Sequence, residues 1–82
     1  MIYDVQLKPR AVKDIEKISS RMQVKVIKGI EMLGNNLTGD VKRLTNYTPE
    51  YRLRVGDYRV LFEIENDSII VYRVRHRREV YR

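Results

Sequence analysis

The stretch YRLRVGDYRVLFEIENDSIIVYRVRHRREVY, from Tyr51 to Tyr81, restricts the fold of this chain more than any other. Apolar and polar residues alternate along it, and the dipeptides Gly56-Asp57 and Asn66-Asp67 break the alternation twice. Gly and Asn tolerate positive φ, so both dipeptides suit tight hairpin turns, and the stretch reads as three antiparallel strands in a meander. A two-residue loop at Gly56-Asp57 also fixes the pairing: Val55 faces Tyr58, Arg54 faces Arg59 and Arg52 faces Leu61. Side chains alternate between faces, so Leu53 and Val55 point one way while Arg52 and Arg54 point the other. Like charges directly across a ladder cost a few tenths to about 1 kcal/mol. A face that tolerates Arg54 opposite Arg59 is one that meets a polyanion.

The earlier half supplies something for the other face to bury against. Ile2 to Leu7 alternate with Tyr3, Val5 and Leu7 on one side, which predicts a first strand. Pro9 suits the first turn of a helix, and Ala11, Val12, Ile15 and Ile18 recur at helical spacing. Ser19 and Ser20 offer a cap for a second helix, whose apolar stripe is Met22, Val26, Ile30 and Leu33 with Ile27 beside it. Gly34-Asn35-Asn36 stops it. The following LTGDVKRLTNYTPE reads as a connector in which Val41 and Leu44 dip into the core and Lys42 and Arg43 lie within reach of the sheet.

The expected fold is therefore α+β and a single domain over residues 1–82. It comprises an N-terminal strand, a helical hairpin, then a three-stranded antiparallel meander, forming one sheet with the helices on one face. The helical stripe should bury against Leu53, Val55, Val60, Phe62, Ile64, Ile69 and Val71. Continuing the alternation places Arg73 and Arg75 on the same face as Ile69 and Val71. Either the sheet outruns the helices at that end, or a bulge near Tyr72 to Val74 reverses the phase.

The formal charge is +6, and its distribution matters more than its size. The lysines lie at or before Lys42, where those on the helices make a wet face, whereas nine of the eleven arginines fall from Arg43 onward. Arginine brings a planar fork suited to phosphate and able to stack on bases, so the arginine-rich half is the functional half. The surplus points to nucleic acid, an anionic membrane surface or an acidic protein partner. No run is apolar enough to span a membrane and no signal-peptide pattern is present, so a cytoplasmic location and no membrane partner are expected. Cysteine is absent, which excludes disulfides, thiolate nucleophiles and Cys-based zinc sites. His76 is the single histidine, and no carboxylates cluster at metal-ligand spacing. Chemistry without a cofactor or metal, built from Arg, Lys, Tyr and at most one His, is what remains.

The run Tyr-Arg-Leu-Arg-Val-Gly-Asp-Tyr-Arg-Val from Tyr51, followed by His-Arg-Arg-Glu-Val-Tyr from His76, resembles the RelE/ParE superfamily of toxins from toxin-antitoxin operons. The likeness covers nearly the whole chain, from the opening strand and Pro-started helical hairpin onward. For RelE-like members it implies ribosome-dependent cleavage of translated mRNA. There the 2′-hydroxyl attacks the neighbouring phosphodiester without a metal, leaving a 2′,3′-cyclic phosphate and a free 5′-hydroxyl. It implies as partners a cognate antitoxin, the ribosome with its rRNA, and mRNA, with operator DNA met only through the antitoxin complex.

Carried over by position, the resemblance gives Arg52 and Arg54 the role of the basic pair that holds substrate, and Arg59 that of the arginine on the scissile phosphate. Arg77 matches a second phosphate-stabilising arginine and Tyr81 a C-terminal tyrosine that stacks on a base or moves a proton. Lys42, Arg43, Arg75, His76 and Arg78 are expected to contact RNA around them. Both members of the basic pair are Arg where some relatives have Lys, and a guanidinium is a poor general base. Proton removal then falls to Tyr81, His76 or solvent. The bland reading makes Arg52 and Arg54 solvated strand residues paired with Glu63 or Glu50. Two other classes stand beside the nuclease: a ParE-like inhibitor that binds DNA gyrase, and a non-catalytic basic module acting as co-repressor with its antitoxin.

Overall fold

A computed structural model describes residues 1–80, the side chain of Val80 excepted; the role expected of Tyr81 lies outside the described residues. The order of elements is β1 (Asp4–Leu7), α1 (Pro9–Glu16), α2 (Ser20–Leu33), β2 (Asp40–Arg43), β3 (Tyr51–Val55), β4 (Tyr58–Glu65), β5 (Ser68–His76) and α3 (Arg77–Val80). Five strands form one sheet in the order β1-β5-β4-β3-β2, with β1 parallel to β5 and every other pair antiparallel. The meander has the expected register, with Val55 opposite Tyr58, Arg54 opposite Arg59 and Arg52 opposite Leu61. Gly56 and Asn66 take φ of 57° and 56° at its two turns, the left-handed conformation that the dipeptides allow.

Three features depart from the expectation. The connector contains a strand: Asp40–Arg43 pairs with β3, so the sheet has five strands rather than four. Its polar sequence forms a ladder because the edge of β3 is open, and the charges then guard that edge against other chains. Leu44, beyond it, is half-buried in the loop and lies outside the core. Val12 and Ile27 are 40% and 44% exposed, because each sits at the margin of its helix's apolar stripe.

Helices α1 and α2 bury Ala11, Ile15, Val26, Ile30 and Leu33 against Leu53, Val60, Phe62, Ile69, Val71 and Val74. Pro9 opens α1, and the Ser19 hydroxyl accepts the Met22 N–H at the start of α2. Ser19→Ala is expected to cost about 1 kcal/mol, a fall in Tm of about 4–8 °C for a domain of this size, read by thermal melting. Helix α2 ends at Leu33, and Gly34 caps it as the Gly34-Asn35-Asn36 stop implies. Gly34 remains right-handed and the positive φ falls at Asn36 and Leu37, while Gly34 lies so close to β1 that a Cβ would meet Val5 Cγ2 at 3.0 Å. No helix among the described residues is long and apolar enough to cross a membrane.

The phase conflict on β5 is resolved by a bulge. Arg73 faces Leu61 and Val71 faces Phe62, which leaves Tyr72 as the extra residue. Val71 and Val74 can both enter the core, and Arg73 and Arg75 leave that face. β1 ends opposite Val71, so the edge of β5 beyond it needs another partner. Asp14 of α1 provides one: its Oδ2 accepts the Val74 N–H at 3.0 Å and the Arg73 Nε at 2.7 Å, and its Oδ1 accepts Arg73 Nη2 at 3.2 Å. Burial pushes the Asp14 carboxyl up, but the hydrogen bonds from Arg73 and Val74 and the charges of Arg73 and Arg75 more than offset it. The net shift is downward.

Candidate functional site

The register that builds the core on one face builds a basic row on the other. Directly facing residues of antiparallel strands share a face at a Cα separation of about 4.5–5.5 Å. Asp40 faces Arg54, Arg54 faces Arg59 and Arg59 faces Arg75, so three arginines stand side by side across β3, β4 and β5. A second row, Lys42, Arg52, Leu61 and Arg73, runs alongside.

The row is only partly neutralised from within. Arg54 is exposed and has no hydrogen-bond or ion-pair partner among the described residues. Arg59 is 8% exposed, and its Nη1 donates to the carbonyls of Gly56 and Tyr58 at 3.0 and 3.1 Å rather than to a carboxylate. Burying a cation is costly unless it is solvated by polar groups. These carbonyls meet part of that need and fix the guanidinium while leaving its charge uncompensated. Arg75 donates to Glu79 Oε2 at 3.1 Å. Glu79 titrates low because of that bond first, and then because it accepts the His76 N–H. Asp40, the acid that heads the row, is spent on Arg52, whose Nη1 donates to its carbonyl at 2.8 Å and its carboxylate at 3.3 Å. The Nε of Arg52 is buried without a partner among the described residues.

Arg77 begins α3 at the turn that anchors Arg59. Its N–H donates to the Asp57 carbonyl at 2.8 Å and its guanidinium lies 3.7 Å from the Asp57 carboxylate. His76 takes the other side of the sheet: opposite Tyr58, it meets that ring edge-on at 5.5 Å beside Met22 and Lys25. Its Nδ1 accepts the Arg78 N–H at 3.2 Å. Arg43 pairs with Glu50 at 3.2 Å, and Lys42 and Arg78 are exposed.

Residues 5–81 match the model of a family described as the ParE toxin of type II toxin-antitoxin system, parDE. Toxin RelE3 of Methanocaldococcus jannaschii is 35% identical over 75 residues, 85% of either chain. The chain belongs to the RelE/ParE family of toxins. It is a toxin of a type II toxin-antitoxin system, RelE-like in sequence. The RelB-RelE antitoxin-toxin complex from Methanococcus jannaschii is similar at 32% identity and a TM-score of 0.76, covering 93% of this chain and 94% of that one. The complex RelBE2 from Mycobacterium tuberculosis shares the fold at a TM-score of 0.80 and 23% identity, over 93% of this chain and 99% of that one.

In this toxin Arg54, Arg59 and Arg75 come together in one row, Arg52 lies one pleat along the same face, and Arg77 stands at the β3–β4 turn against Asp57. His76 is separated from the row by the sheet. Arg75 stands at the β5 end of the row. The signal that could have found it was the conflict of phase at Arg73 and Arg75, since only a bulge returns both to the basic face. Asp14 gives no such signal, because its neighbours in sequence are those of any solvated helix.

Proposed function

We propose that this toxin is a ribosome-dependent endoribonuclease that cuts translated mRNA by attack of a 2′-hydroxyl on the adjacent phosphodiester. The observation that carries the reading is the row Arg54–Arg59–Arg75, three cations side by side on the sheet face opposite α1 and α2. In the reaction the 2′-oxygen bonds to phosphorus, the bond to the 5′-oxygen breaks, and the proton lost at one oxygen is regained at the other. The products are a 2′,3′-cyclic phosphate and a 5′-hydroxyl. Negative charge grows on the non-bridging oxygens along the way, and fixed guanidinium donors stabilise it most where water is scarce. Arg59 is the fixed donor and Arg54 the mobile one, with Arg52, Arg75 and Arg77 around them. With His76 across the sheet, proton removal falls to Tyr81 or solvent. A cognate antitoxin masks the face until it is released, as partner chains accompany the similar toxins.

Arg54→Ala is the cleanest test of the row, because the side chain is exposed and makes no hydrogen bond or ion pair among the described residues. Cleavage on programmed ribosomes should fall by about tenfold or more, with Tm unchanged in a thermal melt. A second reading, binding and inhibition of DNA gyrase without RNA cleavage, is favoured by the ParE description of the matching family model. A supercoiling assay beside a cleavage assay separates the two: the nuclease reading expects cut mRNA with gyrase untouched, and inhibited gyrase with intact mRNA overturns it.

A further inference from the structure

Beside the arginine rows, a cavity of about 570 Å³ opens between the start of α1, the β5 bulge and the loop before β3. Pro9, Pro49 and the Tyr72 ring wall it, Lys8 and Arg10 stand at it, and Arg73 links it to the second basic row. Its one acidic side chain is Glu63, which shares the open face four residues along β4 from Arg59, a span of about 13 Å. A carboxylate is out of place on a surface made for a phosphate backbone. Glu63 is half-buried, yet it has no hydrogen-bond or ion-pair partner among the described residues. Arg73, on the same cavity, is no substitute, since it is already held at two points by Asp14.

We propose that this cavity is a nucleobase subsite for guanine, occupied by a nucleotide of the strand whose phosphate lies on the Arg54–Arg59–Arg75 row. The inference rests on the RNA reading above and adds to it the base that is read. Sequence-specific recognition of RNA places splayed-out bases on aromatic or flat apolar surfaces and bonds to their Watson–Crick edges. Two adjacent N–H donors, N1–H and the 2-amino group, are what guanine presents there, and the two oxygens of Glu63 accept both. Adenine and the pyrimidines offer no such pair of donors. Lys8 lies 5.7 Å over the Tyr72 ring and meets the backbone of the incoming nucleotide.

The probe is a set of 2′-O-methyl oligouridylates carrying a single guanosine or inosine; these cannot be cut, because the attacking hydroxyl is blocked. Wild-type toxin should bind the guanosine oligomer about tenfold more tightly than the inosine one, the order expected for one hydrogen bond to a charged group. Glu63→Gln should bring that ratio close to one. Equal affinities in the wild type, or a ratio that survives Glu63→Gln, would overturn the subsite. A guanosine preference in a protein that cuts no RNA on ribosomes would retain the subsite and remove the nuclease reading. Cleavage with equal affinities would do the reverse.

Discussion

Replacing Arg59 with alanine is expected to slow mRNA cleavage by about 10²- to 10³-fold, the loss typical when one preorganised donor is removed from a developing oxyanion. Arg59 stands between Arg54 and Arg75, and it is the most buried charge among the described residues. The low exposure strengthens its field at a bound phosphate and fixes the fork before substrate arrives. Alanine also leaves the Gly56 and Tyr58 carbonyls without their donor, so the hairpin itself loses some stability. Arg59→Lys separates the two effects, since it keeps a cation at the site but cannot give two parallel hydrogen bonds. Single-turnover cleavage on programmed ribosomes should rank wild type above lysine and lysine above alanine. Wild-type rates in both folded variants would show that the centre of the row does not act on the reaction.

The largest effect on stability is expected at Asp14. Its carboxylate satisfies the Val74 N–H and the Arg73 guanidinium together, so Asp14→Ala strands a half-buried cation and an edge N–H in one step. Removing one partner of a buried pair costs about 3–5 kcal/mol, and the residual exposure here, 23% for Arg73 and 13% for Asp14, places the effect near 3 kcal/mol. That is a large share of the roughly 4–12 kcal/mol available to a chain of this length. Tm should fall by about 12–24 °C, and Asp14→Asn, which can still accept the Val74 N–H, should lose less. Since the folded carboxyl titrates below the ordinary aspartate value of about 3.9, its contribution is complete above about pH 4 and is lost as pH falls through the folded value. An acid titration followed by circular dichroism should therefore show a component in the wild type that Asp14→Asn lacks. A melt for Asp14→Ala within about 0.5 kcal/mol of wild type, the range of an ordinary surface substitution, would contradict this.

The meander was legible because two kinds of information agreed in it. Alternation chose the faces, and Gly56-Asp57 and Asn66-Asp67 chose the turns, so the pairing of Arg54 with Arg59 followed from the residues. β2 was not legible, since Asp-Val-Lys-Arg carries no strand signal by itself and becomes one only where β3 leaves its edge open. The bulge was legible as one of two ways out of the phase conflict, near Tyr72 to Val74, but nothing local chose it over a sheet that outruns the helices or marked Tyr72 as the residue to be left out. Its place depends on Asp14, a partner 60 residues from Val74 that reaches the β5 edge only after α1 has packed. The same dependence governs the site. The basic pair Arg52 and Arg54 could be read along one strand, whereas the place of Arg75 required the bulge and that of His76 required knowing which face its strand end turns to.

The account stands most directly on the ends of the RNA that the toxin leaves behind. Ribosomes programmed with a defined mRNA and incubated with the wild-type protein should yield fragments ending in a 2′,3′-cyclic phosphate and beginning with a 5′-hydroxyl, and Arg59→Ala should leave the same message whole. Intact mRNA under the wild-type toxin, or fragments that carry a 5′-phosphate, would contradict it.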